Sequence, residues 1–120
     1  MTQKILLVDD EADLLKITLL RLNKTGYEAF GAVDGREALD LARQKAPDLI
    51  VLDVFLPGIN GDEVAKRFKA DEKLKHIPII LISADVKNLE KRARESGADD
   101  YLPKVFEPGE LIGMIKKHIG

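Results

Sequence analysis

Four apolar runs in this 120-residue sequence lead into residues that can handle charge. Ile5-Leu6-Leu7-Val8 is followed by Asp9-Asp10, Leu49-Ile50-Val51-Leu52 by Asp53, Ile79-Ile80-Leu81-Ile82 by Ser83, and Tyr101-Leu102 leads to Lys104. Carboxylates brought together from the ends of such runs repel one another and raise one another's pKa. A hard divalent cation relieves the repulsion, because it prefers oxygen ligands, and this points to magnesium or manganese. A flavin or nucleotide is not implied, since Asp9-Asp10-Glu11 stands where a phosphate cradle would need glycines and free backbone N–H groups. Taken singly, each residue has a plainer reading. Acids after a strand are commonly solvated first-turn residues favoured by the helix dipole, and a lone Asp53, Ser83 or Lys104 is a turn residue or a surface charge. The conjunction at successive run ends favours a site.

A site of this kind needs elements that bring the run ends together. The four runs and a further one, Ala29-Phe30-Gly31-Ala32, alternate with stretches whose apolar residues recur every three or four positions. That alternation predicts βαβ units and a parallel sheet, whose ligands collect beyond the carboxyl ends of the strands. The runs at 5–8, 49–52 and 79–82 are apolar throughout, as strands covered on both faces are, whereas 29–32 and 101–102 are diluted and suit the edges. Asp34 with Glu37, and Asn60 with Glu63, have the spacing of helix N-caps. Pro47 ends the second helix, the third runs to about Ala70, Gly97 stops the fourth, and Pro108 opens the fifth. The fourth helix, read as 86–96, has a thin apolar stripe of Val86, Leu89 and Ala93, and such weak anchoring suits a mobile element.

Composition narrows the classes. The length suits one domain, which we read as 1–120. The chain stops about a turn after the fifth helix, so no effector domain is expected. With 45% hydrophobic and 33% charged residues the balance is that of a soluble globular protein. The absence of cysteine excludes disulfides and Cys-ligated zinc or iron–sulfur sites, and His76 and His118 are too few and too separated for a histidine metal site. A net charge of −2 argues against an isolated nucleic-acid-binding module. The N-terminal apolar run is too short for a signal-peptide core or a membrane span, so a cytoplasmic location without membrane attachment is expected.

The motifs Ile-Leu-Leu-Val-Asp-Asp-Glu at 5–11, Leu-Asp-Val-Phe-Leu-Pro-Gly-Ile-Asn-Gly at 52–61, Ser-Ala at 83–84 and Gly-Ala-Asp-Asp-Tyr-Leu-Pro-Lys at 97–104 resemble the receiver domains of bacterial two-component response regulators. The resemblance covers the whole chain. It implies a doubly wound α/β fold, flavodoxin-like, with five parallel strands in the order 2-1-3-4-5. It implies that Asp53 accepts a phosphoryl group, and that Asp10, Asp53 and the Phe55 carbonyl oxygen hold Mg²⁺, with Asp9 acting largely through water. Lys104 would bind one phosphoryl oxygen and the Ser83 hydroxyl another, helped by the Ala84 N–H. Pro57 and Gly61 would shape the loop after Asp53. In switching, Ser83 would move toward the phosphoryl group and Tyr101 would rotate inward, with output through the fourth helix, fifth strand and fifth helix to a downstream protein or a second copy. The chain is thus expected to be a phosphoacceptor and not an enzyme in its own right.

The first helix carries a surplus of apolar residues. Placing Ala12, Leu15, Leu19 and Leu22 on its buried face leaves Leu14, Ile17 and Leu20 elsewhere, and an apolar patch beside an active edge suggests a protein contact. In receivers this helix docks on a sensor histidine kinase or histidine phosphotransfer protein, and Leu14 and Ile17 are the residues expected to do so here. Ordinary half-exposed leucines are the plainer account.

The sequence departs from the receiver pattern at Val105, where proline is usual after the lysine. A cis bond before a non-proline residue costs about 2.5–4 kcal/mol, so a trans Lys104–Val105 bond is expected. Ser83 replaces a frequent threonine and keeps the hydroxyl, while Phe55 and Asp85, each two residues beyond a site residue, are expected to tune self-hydrolysis. Met114 stands where receivers of winged-helix transcription factors often carry arginine, which favours a stand-alone regulator or a piece of another kind of protein. Two alternatives remain open at this point. A haloacid-dehalogenase-type phosphatase would want an aspartate at position 55, and a pseudo-receiver would keep the fold without phosphotransfer.

Overall fold

The computed structural model describes residues 2–104 and 106–120. The strands are β1 (Lys4–Val8), β2 (Glu28–Ala32), β3 (Leu49–Asp53), β4 (Ile79–Ser83) and β5 (Asp100–Pro103), and the helices are α1 (Ala12–Lys24), α2 (Gly35–Lys45), α3 (Gly61–Ala70), α4 (Leu89–Ser96) and α5 (Pro108–Ile119). All strand pairs are parallel and the order is β2-β1-β3-β4-β5, in agreement with the expected doubly wound sheet.

Successive side chains of a strand point to opposite faces, so the apolar runs supply two cores at once. Leu6, Val8, Ile50, Leu52, Ile79 and Leu81 pack with Ala38, Leu39, Val64, Phe68, Leu89 and Ala93 of α2, α3 and α4. Ile5, Leu7, Leu49, Val51, Ile80 and Ile82 pack with Leu22 of α1 and Leu111 and Ile115 of α5. Every residue of β3 and β4 is buried, which is why those runs contain no polar interruption before their last residue.

Helix ends follow local chemistry. The Asp34 carboxylate accepts the Glu37 N–H at 2.8 Å, and the C-cap Ala46 of α2 adopts φ 48° just before Pro47. Gly97 takes φ 83° after α4, and Pro108 opens α5 inside a reciprocal Glu107–Glu110 capping box. Asn60 precedes α3 but its side chain makes no capping bond. Two further expectations need revision. α4 begins at Leu89 and Val86 is 57% exposed, because residues 86–88 form a turn and their one apolar side chain finds no core. In α1, Ala12 is exposed and Thr18 is buried, so the inner face is rotated toward α5 from the one read in the sequence.

Candidate functional site

The polar residues that end the strands meet at one edge of the sheet. The Asp9 N–H continues the ladder by bonding the Ala32 carbonyl at 3.1 Å, and its side chain is buried while Asp10 is exposed. Asp53 lies opposite Ile82 in register, and the Val54 N–H bonds the Ile82 carbonyl at 2.9 Å, holding the acidic residue at the sheet edge. Lys104 is fastened to the end of β4 by its N–H on the Ser83 carbonyl at 2.9 Å. The loop after Asp53 returns at Gly61, whose N–H bonds the Val54 carbonyl at 2.6 Å. A Cβ at position 61 would collide with the Asp53 carbonyl oxygen, so the close approach requires glycine there.

The Lys104 ammonium lies 2.7 Å from Asp53 Oδ2, 3.2 Å from Asp9 Oδ1 and 2.6 Å from Glu11 Oε1. Asp53 Oδ1 accepts the Phe55 N–H at 3.2 Å, and Asp9 Oδ1 accepts the Glu11 N–H at 2.9 Å. Burial pushes the Asp53 carboxyl above its ordinary range, and the charge of Asp9 adds to this, while Lys104 and the Phe55 N–H oppose it. Burial alone would lower the Lys104 pKa, but its bonds to Asp53, Glu11 and Asp9 outweigh burial and raise it, so the ammonium stays charged. Asp9, Asp10 and Asp53 can each present an oxygen with all three atoms within 4.8 Å of one another. Such hard oxygen donors fit a divalent cation of the magnesium type.

Ser83 is fully buried beside this cluster and its Oγ accepts the Asp85 N–H at 3.0 Å. Tyr101 is paired with Leu81 on the edge strand and is 38% exposed. Of the apolar residues singled out on α1, Ile17 is exposed and Leu14 is half-buried, with Leu20 exposed as well. Val105, which governs the expected trans bond, lies outside the described residues. Sequence reasoning assigned no role to Glu11, although it belongs to the same acidic run; as the N-cap of α1 it makes no capping bond and reaches Lys104 instead. It also missed Arg92, whose guanidinium pairs with Asp62 and lies over the Phe55 ring.

A doubly wound sheet that gathers buried carboxylates and a buried lysine beyond its strand ends defines an α/β module with hard oxygen donors for a cation beside a fixed ammonium. The chain belongs to the response regulator receiver domain family, which it matches over residues 5–116. It is 39% identical to the polar-differentiation response regulator DivK of Brucella ovis over 100% of this chain and 98% of that protein. Among solved structures it resembles the chemotaxis response regulator CheY4 of Vibrio cholerae, with TM-score 0.90, 31% identity and 98% of each chain covered. It also resembles the receiver domain of the sensor histidine kinase PA1611 of Pseudomonas aeruginosa, with TM-score 0.89, 29% identity and 100% and 99% coverage. That relative holds a magnesium ion in its active-site cleft. The chain is therefore a receiver domain of a two-component response regulator, a phosphoacceptor module for phosphorylation-controlled signalling, and the phosphatase and pseudo-receiver readings are not favoured. Receiver domains bind Mg²⁺ at their acidic site and interact with histidine kinases or phosphotransfer proteins. No helix among the described residues is long and apolar enough to cross a membrane.

Proposed function

We propose that Asp53 is the phosphoryl acceptor, that Asp10, Asp53 and the Phe55 carbonyl oxygen hold Mg²⁺, and that Asp9 assists largely through water. The observation that carries this reading is the buried Lys104 ammonium, 2.7 Å from Asp53 Oδ2, in a cluster whose three aspartates can converge on one cation. Bound magnesium supplies the positive charge that lets an anionic phosphoryl group approach carboxylates. An Asp53 carboxylate oxygen forms the bond to phosphorus as the bond to the donor histidine nitrogen breaks, leaving an aspartyl phosphate and a free imidazole. Lys104 steadies one phosphoryl oxygen as a compact charge, and Ser83 Oγ–H and the Ala84 N–H donate to another.

Switching follows from the new charge. Ser83 is drawn to the phosphoryl group and gives up its bond to the Asp85 N–H, and Tyr101 turns inward behind it. Support comes from α4, an eight-residue helix whose buried side chains are only Leu89, Ala93 and Ser96. The output surface is then α4, β5 and α5, offered to a downstream protein or a second copy. Leu14 and Ile17 on α1 dock the histidine kinase or phosphotransfer protein, and the setting is the cytoplasm.

Incubation with Mg²⁺ and acetyl phosphate is expected to add one phosphoryl mass increment that Asp53→Asn abolishes. No increment with either acetyl phosphate or a phosphorylated histidine donor overturns the acceptor assignment. Rapid multiple turnover of the donor would favour the phosphatase reading instead.

A further inference from the structure

Phe55 is rooted beside the acceptor, because its N–H bonds Asp53 Oδ1 at 3.2 Å, yet the residue is 45% exposed. What covers it is the Arg92 guanidinium, 5.2 Å from the ring centroid. Arg92 comes from α4 and is itself fixed by a 2.8 Å bond to Asp62 Oδ2 in the first turn of α3. That turn begins at Gly61, which packs on the Asp53 carbonyl. Arg92 thus ties together the two ends of the loop that follows the acceptor. Its Nε is buried without a partner among the described residues, an arrangement that costs energy and persists only where the other contacts outweigh it.

We propose that Arg92 is a positioning residue for loss of the phosphoryl group: it pins the Phe55 ring at the mouth of the site, where the ring limits the approach of water. The proposal rests on Asp53 being the acceptor and goes beyond that reading by assigning a role to a residue on the mobile helix. In the reaction restrained, a water oxygen forms a bond to phosphorus as the bond to the Asp53 carboxylate oxygen breaks. The carboxylate is regenerated, inorganic phosphate leaves, and the water proton passes to phosphate or solvent. A guanidinium suits this task because it can stack flat on an aromatic face while its edge bonds a carboxylate.

The test is a double-mutant cycle on dephosphorylation. Wild type, Arg92→Ala, Phe55→Ala and the double variant are phosphorylated with acetyl phosphate and Mg²⁺, freed of donor, and followed by intact mass. Arg92→Ala is expected to shorten the phosphoryl lifetime about two- to five-fold, the range that loss of one partly exposed cation–π contact allows. In the Phe55→Ala background the same substitution should change nothing. Arg92→Met, which keeps the stem and loses the charge, should behave like Arg92→Ala, and thermal melting checks that each variant is folded. An unchanged or lengthened lifetime, or an equal shortening in both backgrounds, overturns the proposal while leaving the acceptor intact. Failure of wild type to form the adduct overturns both.

Discussion

Lys104→Met removes the ammonium that is the only positive charge paired with the acidic cluster among the described residues, and puts the electrostatics of the site to a direct test. The ammonium contacts three carboxylates, but they do not count equally. The Glu11 side chain is 62% exposed, so water screens its pair with Lys104 and losing it costs little. Asp9 and Asp53 are each 2% exposed, and removing their partner leaves buried charge uncompensated. Breaking a buried pair in this way costs about 3–5 kcal/mol. With an unfolding entropy of about 2.1 cal/mol/K per residue, 120 residues convert a loss of about 3 kcal/mol into a fall in Tm of about 12 °C. The deficit depends on pH. Burial already holds the folded Asp53 pKa above its ordinary value of 3.8, and loss of Lys104 raises it further. An acid with a raised folded pKa is penalised only when ionised, so the deficit should be small in acid. It should grow as pH rises past the folded Asp53 pKa of wild type and level off above the higher one of the variant. Millimolar Mg²⁺ should recover part of the loss, since a cation then answers the same carboxylates. The assay is thermal unfolding at several pH values, in EDTA and in Mg²⁺. A variant as stable as wild type in EDTA at pH 7, or a deficit that does not change with pH, would refute the reasoning.

Gly61→Ala forces a methyl group against the Asp53 carbonyl oxygen, a backbone atom that cannot rotate away. It should lower the urea midpoint by the equivalent of about 2 kcal/mol or more and slow phosphorylation by acetyl phosphate at least ten-fold, because the acceptor itself must shift; a fully active, equally stable variant would contradict the close approach. The pair Leu14→Ala, Ile17→Ala should slow phosphotransfer from a histidine kinase while sparing phosphorylation by acetyl phosphate, with stopped-time mass assays for both donors. Equal loss with the two donors would sink the docking assignment.

Most of the site was legible because parallel-sheet geometry converts sequence position into place. Once 5–8, 49–52 and 79–82 are read as buried strands, Asp9, Asp53 and Ser83 must lie at one edge, and they do. The two-core split of alternate residues, Ile5 and Leu7 on one side and Leu6 and Val8 on the other, follows from strand pleating and needed no further signal. Other features were hidden because their partners are distant in sequence or chosen by rotation. Nothing local tells that Arg92 meets Asp62 and Phe55, or that Glu11 turns from its helix to Lys104. Asn60 has the right type and spacing for a cap, yet its side chain does not bond the helix, since propensity names candidates and tertiary geometry chooses among them. Val86 misled because an apolar residue in a turn looks the same in sequence as one in the first turn of a helix.

The central sheet also acts as a partition. α1 and α5 pack into one core, and α2, α3 and α4 into the other, with the strands as a wall between them. Substitutions such as those at Leu22 or Ile115 disturb the layer that carries α1 and α5, while those at Val64 or Leu89 disturb the layer that carries α2, α3 and α4. Changes to the packing beneath α1 can therefore accumulate on one side while the packing beneath α4 stays as it was. The wall thus lets one face of the domain change its packing while the core beneath the other face keeps its fit.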